Sequence, residues 1–210
     1  MRRMTLVSLV VVLQLLLGVV SAALADAPRQ VAGFVLGTPI DQSKNLINME
    51  AAQPVRLMEY LSEAEVKPVP GYRTGYVTFG TCSPHSPIVK IKLKYLRDDR
   101  EFFDKLLKLF EKKFGKAVEY KGDVFGGYLA WKWSFKDNAG NRISLTLQHN
   151  STDDDEYTSG NSLKISMTNL IQKERECYAA KPGGAGHPGG PQPKEESDIR
   201  EVPLDEFLPR

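Results

Sequence analysis

Alternation of apolar and polar residues with a period of two constrains this chain more than any other feature, because it dictates a half-buried β-sheet. From Ile88 to Tyr95, Val89, Ile91, Leu93 and Tyr95 point one way, and Lys90, Lys92 and Lys94 point the other. Tyr128 to Phe135 repeats the pattern with Leu129, Trp131, Trp133 and Phe135, and the next run does so with Ile143, Leu145 and Leu147. Asp137-Asn138-Ala139-Gly140-Asn141 between the last two runs has the composition of a hairpin loop. A further strand is expected at about Ser162 to Thr168. Val31 to Leu36, Val55 to Val66 and Tyr72 to Phe79 also read as strands. Neighbouring strands are joined by loops too short for crossovers, so the sheet should be antiparallel.

One amphipathic helix interrupts this pattern at about Asp99 to Phe114. Phe103, Leu106, Leu107, Phe110 and Phe114 share a face, Asp98 or Asp99 can cap the start, and Gly115 stands where a left-handed C-terminal cap belongs. Thr38-Pro39-Ile40-Asp41 predicts a second, short helix, with Thr38 as its cap, Pro39 at its first position and Asp41 completing a box-like pair. The expected fold class is therefore α+β: an antiparallel sheet with the long helix and the short N-terminal helix packed on one face. The order of elements suits a tandem helix-plus-strands repeat. That architecture is analogous to the exported beta-lactamase inhibitor proteins and to small lipoproteins of outer-membrane assembly, an analogy that carries no function.

The first 25 residues read as a secretory leader, which leaves a single domain over 26–180 and a tail over 181–210. Arg2 and Arg3 precede an apolar run from Leu6 to Val20, and Ala23-Leu24-Ala25 fits a peptidase site. The run falls short of the roughly 18–20 residues a spanning helix needs, so no membrane span is expected after cleavage. The whole chain has 28 Lys+Arg and 26 Asp+Glu; without Arg2 and Arg3 the two signs balance. A neutral chain gives no electrostatic reason to expect nucleic acid as a partner. The tail is dominated by Gly and Pro from Pro182 to Pro193 and then by charge, a composition expected to stay disordered. Val202, Leu204, Phe207 and Leu208 at its end are the anchors a short docking peptide would use.

Export changes the meaning of the two cysteines. In an oxidising compartment, Cys82 and Cys177 are first a disulfide candidate. Closing their loop of 95 residues would stabilise the fold by about 4–5 kcal/mol in the chain-entropy model. Cys82-Ser83-Pro84-His85 offers half of a metal site, but His149 and His187 have no ligand spacing to it, so neither a metal nor a cofactor is implied.

Gly122-Asp123-Val124-Phe125, Ala130-Trp131-Lys132-Trp133-Ser134-Phe135, Ile143-Ser144-Leu145-Thr146-Leu147-Gln148-His149-Asn150 and Gly160-Asn161 together resemble uncharacterised exported proteins of sulfate- and metal-reducing bacteria. The resemblance covers most of the body and both cysteine regions. It implies a bacterial, periplasmic address and no particular activity.

Three groups of residues are candidate binding determinants. Lys90, Lys92 and Lys94 place three ammonium groups about 6.5–7 Å apart along one strand face, suited to an acidic or phosphate-rich partner. Trp131 and Trp133 share a strand face, which makes a stacking platform if exposed and core if covered. His149 lies near Asp153 and Asp155, an arrangement that a hydrolase with Ser144 or Ser151 as nucleophile would use. Ser144 points away from His149 by strand parity, and no nucleophile-elbow pattern surrounds Ser151. The run Asp153 to Glu156 lacks the alternating ligands and glycine of a calcium loop. The reading that follows is a non-catalytic periplasmic or secreted binding module whose partner is an envelope or periplasmic protein. A hydrolase built on His149 and a structural envelope protein are the alternatives.

Overall fold

A computed structural model describes residues 27–152, 158–181 and 203–210. The leader, the acidic run from Asp153 to Glu156 and the low-complexity stretch 182–202 lie outside the described residues. Among the described residues, ten strands and two α-helices follow in chain order. A small hairpin, β1 (Gln30–Val31) and β2 (Phe34–Val35), precedes a 3-10 helix at Ile40–Leu46. Then come β3 (Ile47–Val55), β4 (Met58–Val66), β5 (Tyr72–Gly80) and β6 (Ile88–Tyr95). The long helix α1 (Arg100–Phe114) leads to β7 (Glu119–Gly122), β8 (Tyr128–Lys136), β9 (Arg142–Asn150) and β10 (Gly160–Met167). Helix α2 (Thr168–Ala179) and a 3-10 turn at Leu204–Phe207 complete the described chain.

Apart from the small hairpin, the strands form one antiparallel sheet in the order β3-β4-β5-β6-β10-β9-β8-β7. The order is that of a tandem repeat. Each half is a helical segment followed by a four-stranded meander, and the halves join through their last strands, β6 and β10, with Leu163 opposite Leu93 and Ile165 opposite Ile91. The α+β antiparallel architecture is thus the one expected. A single core contains Phe34, Leu36 and Ile40 from the N-terminal segment and Phe103, Leu106 and Phe110 from α1, so both helical segments cover the same face of the sheet.

Helix α1 starts where Asp99 accepts the amide of Phe102 at 2.9 Å and ends where the Gly115 amide reaches Glu111 O. Its aromatic residues take successive positions along the sheet. Phe102 meets Tyr95, Phe103 meets Trp131, Phe110 meets Trp133 and Phe114 meets Phe135, with centroids 5.6–5.8 Å apart. The Arg97 guanidinium grips both Asp99 oxygens at 2.9 and 3.0 Å and, by that hydrogen bond first, holds the carboxyl below its usual range. Asp99→Ala should cost about 1 kcal/mol of stability, the usual loss for an N-cap, and urea denaturation measures it. Because the folded carboxyl is the stronger acid, the Asp99 contribution is present at neutral pH and fades as pH falls through the lowered value.

Several local expectations give way to turns and edges that composition did not mark. Val31 to Leu36 is broken at Ala32 and Gly33, both with positive φ (50° and 84°), so the expected strand becomes the β1–β2 hairpin. The run from Val55 to Val66 is divided by a tight turn at Arg56-Leu57, where Leu57 has φ 62° although nothing in its side chain favours that conformation. Strand β3, unexpected because of its mixed composition, tolerates Pro54 because it is a sheet edge. Thr38 does not cap the short helix; its hydroxyl donates to Val35 O at 2.8 Å, and Asp41 instead pairs with Lys44 at 2.8 Å. Helix α2 has little apolar periodicity, and Glu174 is its one buried residue. It crosses the end of the sheet from β9, where Asn169 binds Asn141 and the Arg142 amide, to β4, where Tyr178 donates to Glu59.

The cysteines lie at this end. Cys82 Sγ and Cys177 Sγ are bonded, with Cα atoms 5.9 Å apart, tying the β5–β6 loop to α2. The expected tail also behaves differently where it is described. Residues 203–210 return to the body, with Phe207 only 5% exposed, because three aromatic rings receive it.

Candidate functional site

The three groups of candidate residues separate onto opposite faces of the sheet. Trp131, Trp133 and His149 lie on the face covered by α1. Trp133 is 2% exposed and donates its indole N–H to Gly115 O at 2.7 Å, which ties β8 to the end of α1. Trp131 is half-buried between Phe103 and Tyr120. Neither indole is an open stacking platform.

His149 is 4% exposed and packs against Phe103. Its Nδ1 is 2.7 Å from Asn161 Oδ1, while Asn161 Nδ2 donates to the carbonyls of Arg97 and Asp99 at 3.0 and 2.9 Å. The two carbonyls accept both amide hydrogens of Asn161, so its oxygen must face the ring and His149 Nδ1 must be the donor. The His149–Asn161 pair therefore braces the turn that leads into α1. Ser144 lies on the other face, paired with Ser134 and Ser166. The Ser151 amide and hydroxyl are directed at Gly127 O. The acidic partners of a hydrolase, Asp153 and Asp155, fall outside the described residues. Cys82 is bonded to Cys177 and so is not a thiolate ligand beside His85.

Lys90, Lys92 and Lys94 lie on the face away from α1, and here the sheet order matters. Pairing of β6 with β10 sets Lys92 directly opposite Lys164. The same row continues through Thr146 to Lys132, which faces Glu119 on the edge strand β7. A second row runs from Lys90 through Ser166 and Ser144 to Ser134. Sequence reasoning found the β6 lysines but missed Lys121, Lys132 and Lys164. Strand alternation had already placed Lys132 on this face, yet which strands are neighbours is invisible to alternation.

Over β7 to β10 the open face is concave and forms a trough of about 700 Å3. Among the described residues it is lined by the cations Lys121, Lys132, Lys136, Arg142 and Lys164, by hydroxyl groups, and by one carboxylate, Glu119. Glu119 pairs with Lys132 at 2.8 Å and Lys121 at 3.5 Å. No ion pair is present for Lys164 or Lys90 among the described residues. Partial desolvation, then the neighbouring Lys90, Lys132 and Lys121 charges, lower the Lys164 pKa below the usual lysine value. Lys92 is lowered too, first by desolvation and then by Lys164, Lys94 and Lys90. It also donates to Thr158 Oγ1. Cations dominate this face from β6 to β8, whereas the row of Lys92 continues the other way through Tyr76 to Glu65, and that of Lys90 through Thr78 to Glu63.

At one end of the trough, between Lys121 and Tyr128, the β7–β8 loop projects Val124 and Phe125, 97% and 98% exposed. The loop is ordered from within. Asp123 carboxylate oxygens accept the amides of Phe125, Gly127 and Tyr128. An apolar pair held in water on a built turn is unusual for a surface and suits a contact with another macromolecule.

The fold and this face define an α+β sheet protein whose face away from α1 carries a cation-lined trough over β7 to β10. Comparison with protein-family models, with curated proteins and with solved structures found no match. Among the described residues, no helix is long and apolar enough to cross a membrane.

Proposed function

We propose that the protein is a non-catalytic, exported binding module that receives an anionic partner on the open face of its sheet. The observation that carries this reading is the trough: among the described residues, five cations and one carboxylate surround about 700 Å3, a volume typical of ligand clefts. The lowered pKa values of Lys92 and Lys164 mean that folding holds these ammonium groups partly desolvated, and beside one another, at some cost, which an anion would relieve. An envelope or periplasmic protein with an acidic surface is the partner class that also makes use of Val124 and Phe125. The disulfide suits an oxidising compartment, which agrees with the leader read in the first 25 residues. The hydrolase reading draws no support from His149, whose ring is covered by Phe103 and whose Nδ1 is engaged by Asn161.

Labelled polyglutamate is a suitable probe. It should bind at low ionic strength and weaken at least about tenfold on raising salt to a few hundred millimolar, as expected for screened charges. Lys132→Glu together with Lys164→Glu should abolish binding, whereas Lys108→Glu on the exposed side of α1 should leave it within about twofold. Equal losses from both variants would leave the trough with no special role.

The same lysines make a stability prediction with the opposite sign. Folding lowers their pKa, so just below the usual lysine value the unfolded chain holds more protons and stability rises with pH. Lys164→Gln removes part of that cost. It should raise the melting temperature by about 1–2 °C, the size expected for a surface charge, while weakening the probe. A lower melting temperature would mean that Lys164 is stabilising where it stands.

A further inference from the structure

The docked segment Pro203–Arg210 combines the two devices by which folded domains hold peptides: an aromatic anchor in a pocket and backbone pairing with an edge. Phe207 is the anchor. Its ring meets Tyr72, Tyr95 and Phe102 edge-on, with centroids 5.7, 5.4 and 5.6 Å away. The floor of the pocket is Gly71, where a Cβ would lie 2.2 Å from the Phe207 ring, so only glycine leaves room for it. Tyr95 Oη donates to Phe207 O at 3.3 Å, and Lys113 Nζ donates to Pro209 O at 2.7 Å. Arg210 supplies the backbone pairing. Its carbonyl accepts the amides of Arg29 and Gln30 at 2.6 and 2.5 Å, and its amide donates to Gln30 O at 2.5 Å.

We infer that the notch bounded by Gly71, Tyr72, Tyr95 and Phe102 is a peptide-docking site, and that Pro203–Arg210 is its tethered occupant, replaceable by a partner's segment with a Pro-Leu-x-x-Phe-Leu pattern. Two observations separate this from an ordinary terminal strap. First, the segment is joined to α2 only through residues 182–202, rich in Gly, Pro and charge. A linker of about 20 residues with this Gly- and Pro-rich composition is expected to present its end at an effective concentration on the order of millimolar. A weak site is then filled in cis yet still exchanges. Second, Tyr72 Oη is buried without a hydrogen-bond partner among the described residues, so the resident segment does not use everything the notch offers. A partner segment that brings an acceptor to Tyr72 would outcompete it. The site is independent of the lysine trough.

The test uses a fluorescent synthetic peptide with the sequence of residues 203–210 and the full-length, disulfide-bonded protein. Phe207→Ala empties the notch in cis, and that protein should bind the peptide with a dissociation constant on the order of 10–100 µM. Wild type should bind at least about tenfold more weakly, because its own segment competes at the effective concentration of the tether. A peptide with alanine in place of the phenylalanine should not bind. No binding to folded Phe207→Ala protein, or equal binding to both proteins, overturns the inference. If that variant does not fold by circular dichroism, wild type with a protease site within 182–202 decides the matter. Loss of the cut segment on gel filtration at sub-micromolar concentration, with uptake of the labelled peptide, supports exchange. A cut segment that stays bound and takes up no peptide overturns it.

Discussion

Replacing Cys82 and Cys177 together by serine should lower the unfolding free energy by about 4–5 kcal/mol, the chain-entropy value for a loop of this length, and lower the melting temperature by roughly 10–15 °C. The size comes from the unfolded chain, which regains the freedom that a bond between residues 95 apart removes. In the folded chain the loss should concentrate on α2. That helix buries Glu174, whose carboxylate accepts the amides of Cys82 and Ser83 at 2.9 and 3.1 Å, but no apolar stripe. Without the bond those two hydrogen bonds carry most of its attachment to the β5–β6 loop. Amide exchange in Thr168–Ala179 should therefore accelerate more than in β6 or β10. Thermal melts of oxidised and reduced protein provide the simplest measurement. A reduced protein melting within about 2 °C of the oxidised one would show that the denatured chain is already restricted.

The second large effect is expected at Trp133. Truncation to alanine leaves a cavity under α1 and should cost about 3–5 kcal/mol, the range for buried aromatic residues. Part of this loss is polar. The indole N–H to Gly115 O ties β8 to the end of α1, while the ring packs on Phe110 with centroids 5.8 Å apart. Trp133→Phe keeps much of the ring contact and gives up the hydrogen bond, so about 1–2 kcal/mol should separate it from wild type. Trp131→Ala, on the same strand face but only half-buried, should cost clearly less than Trp133→Ala. Urea denaturation of the three variants measures the order, and equal costs for the two alanine variants would contradict it.

These two sites show how unevenly the molecule could be read from its residues. Alternation correctly placed Leu129, Trp131, Trp133 and Phe135 on one face and Lys90, Lys92 and Lys94 on the opposite side of the sheet from α1, because side-chain parity is local to a strand. Helix α1 was legible with its caps, since its apolar stripe and Asp99 lie within a few turns of each other. The turn at Arg56-Leu57 was not, because positive φ at Leu57 is imposed by pairing of β3 with β4 and not by any turn-forming residue. Helix α2 was not legible either, as a bond, a buried carboxylate and hydrogen bonds from its polar residues hold it in place of an apolar face.

The residues by themselves determined the class of the fold, the faces taken by the side chains of β8 and β9 and by the β6 lysines, and the pairing candidate Cys82–Cys177. Only the tertiary structure decided what those side chains meet. Period-two alternation says that Lys92 points away from the core, but it carries no information about which strand lies beside β6. The closure of the sheet through β6 and β10 sets Lys92 opposite Lys164 and assembles a cluster of lysines from a chain of nearly balanced charge. The return of Phe207 to Tyr72, Tyr95 and Phe102 is likewise a contact between distant parts of the chain. A composition rich in Gly, Pro and charge describes the segment that precedes Pro203. It cannot reveal that the body keeps an aromatic notch of the right shape for a single ring.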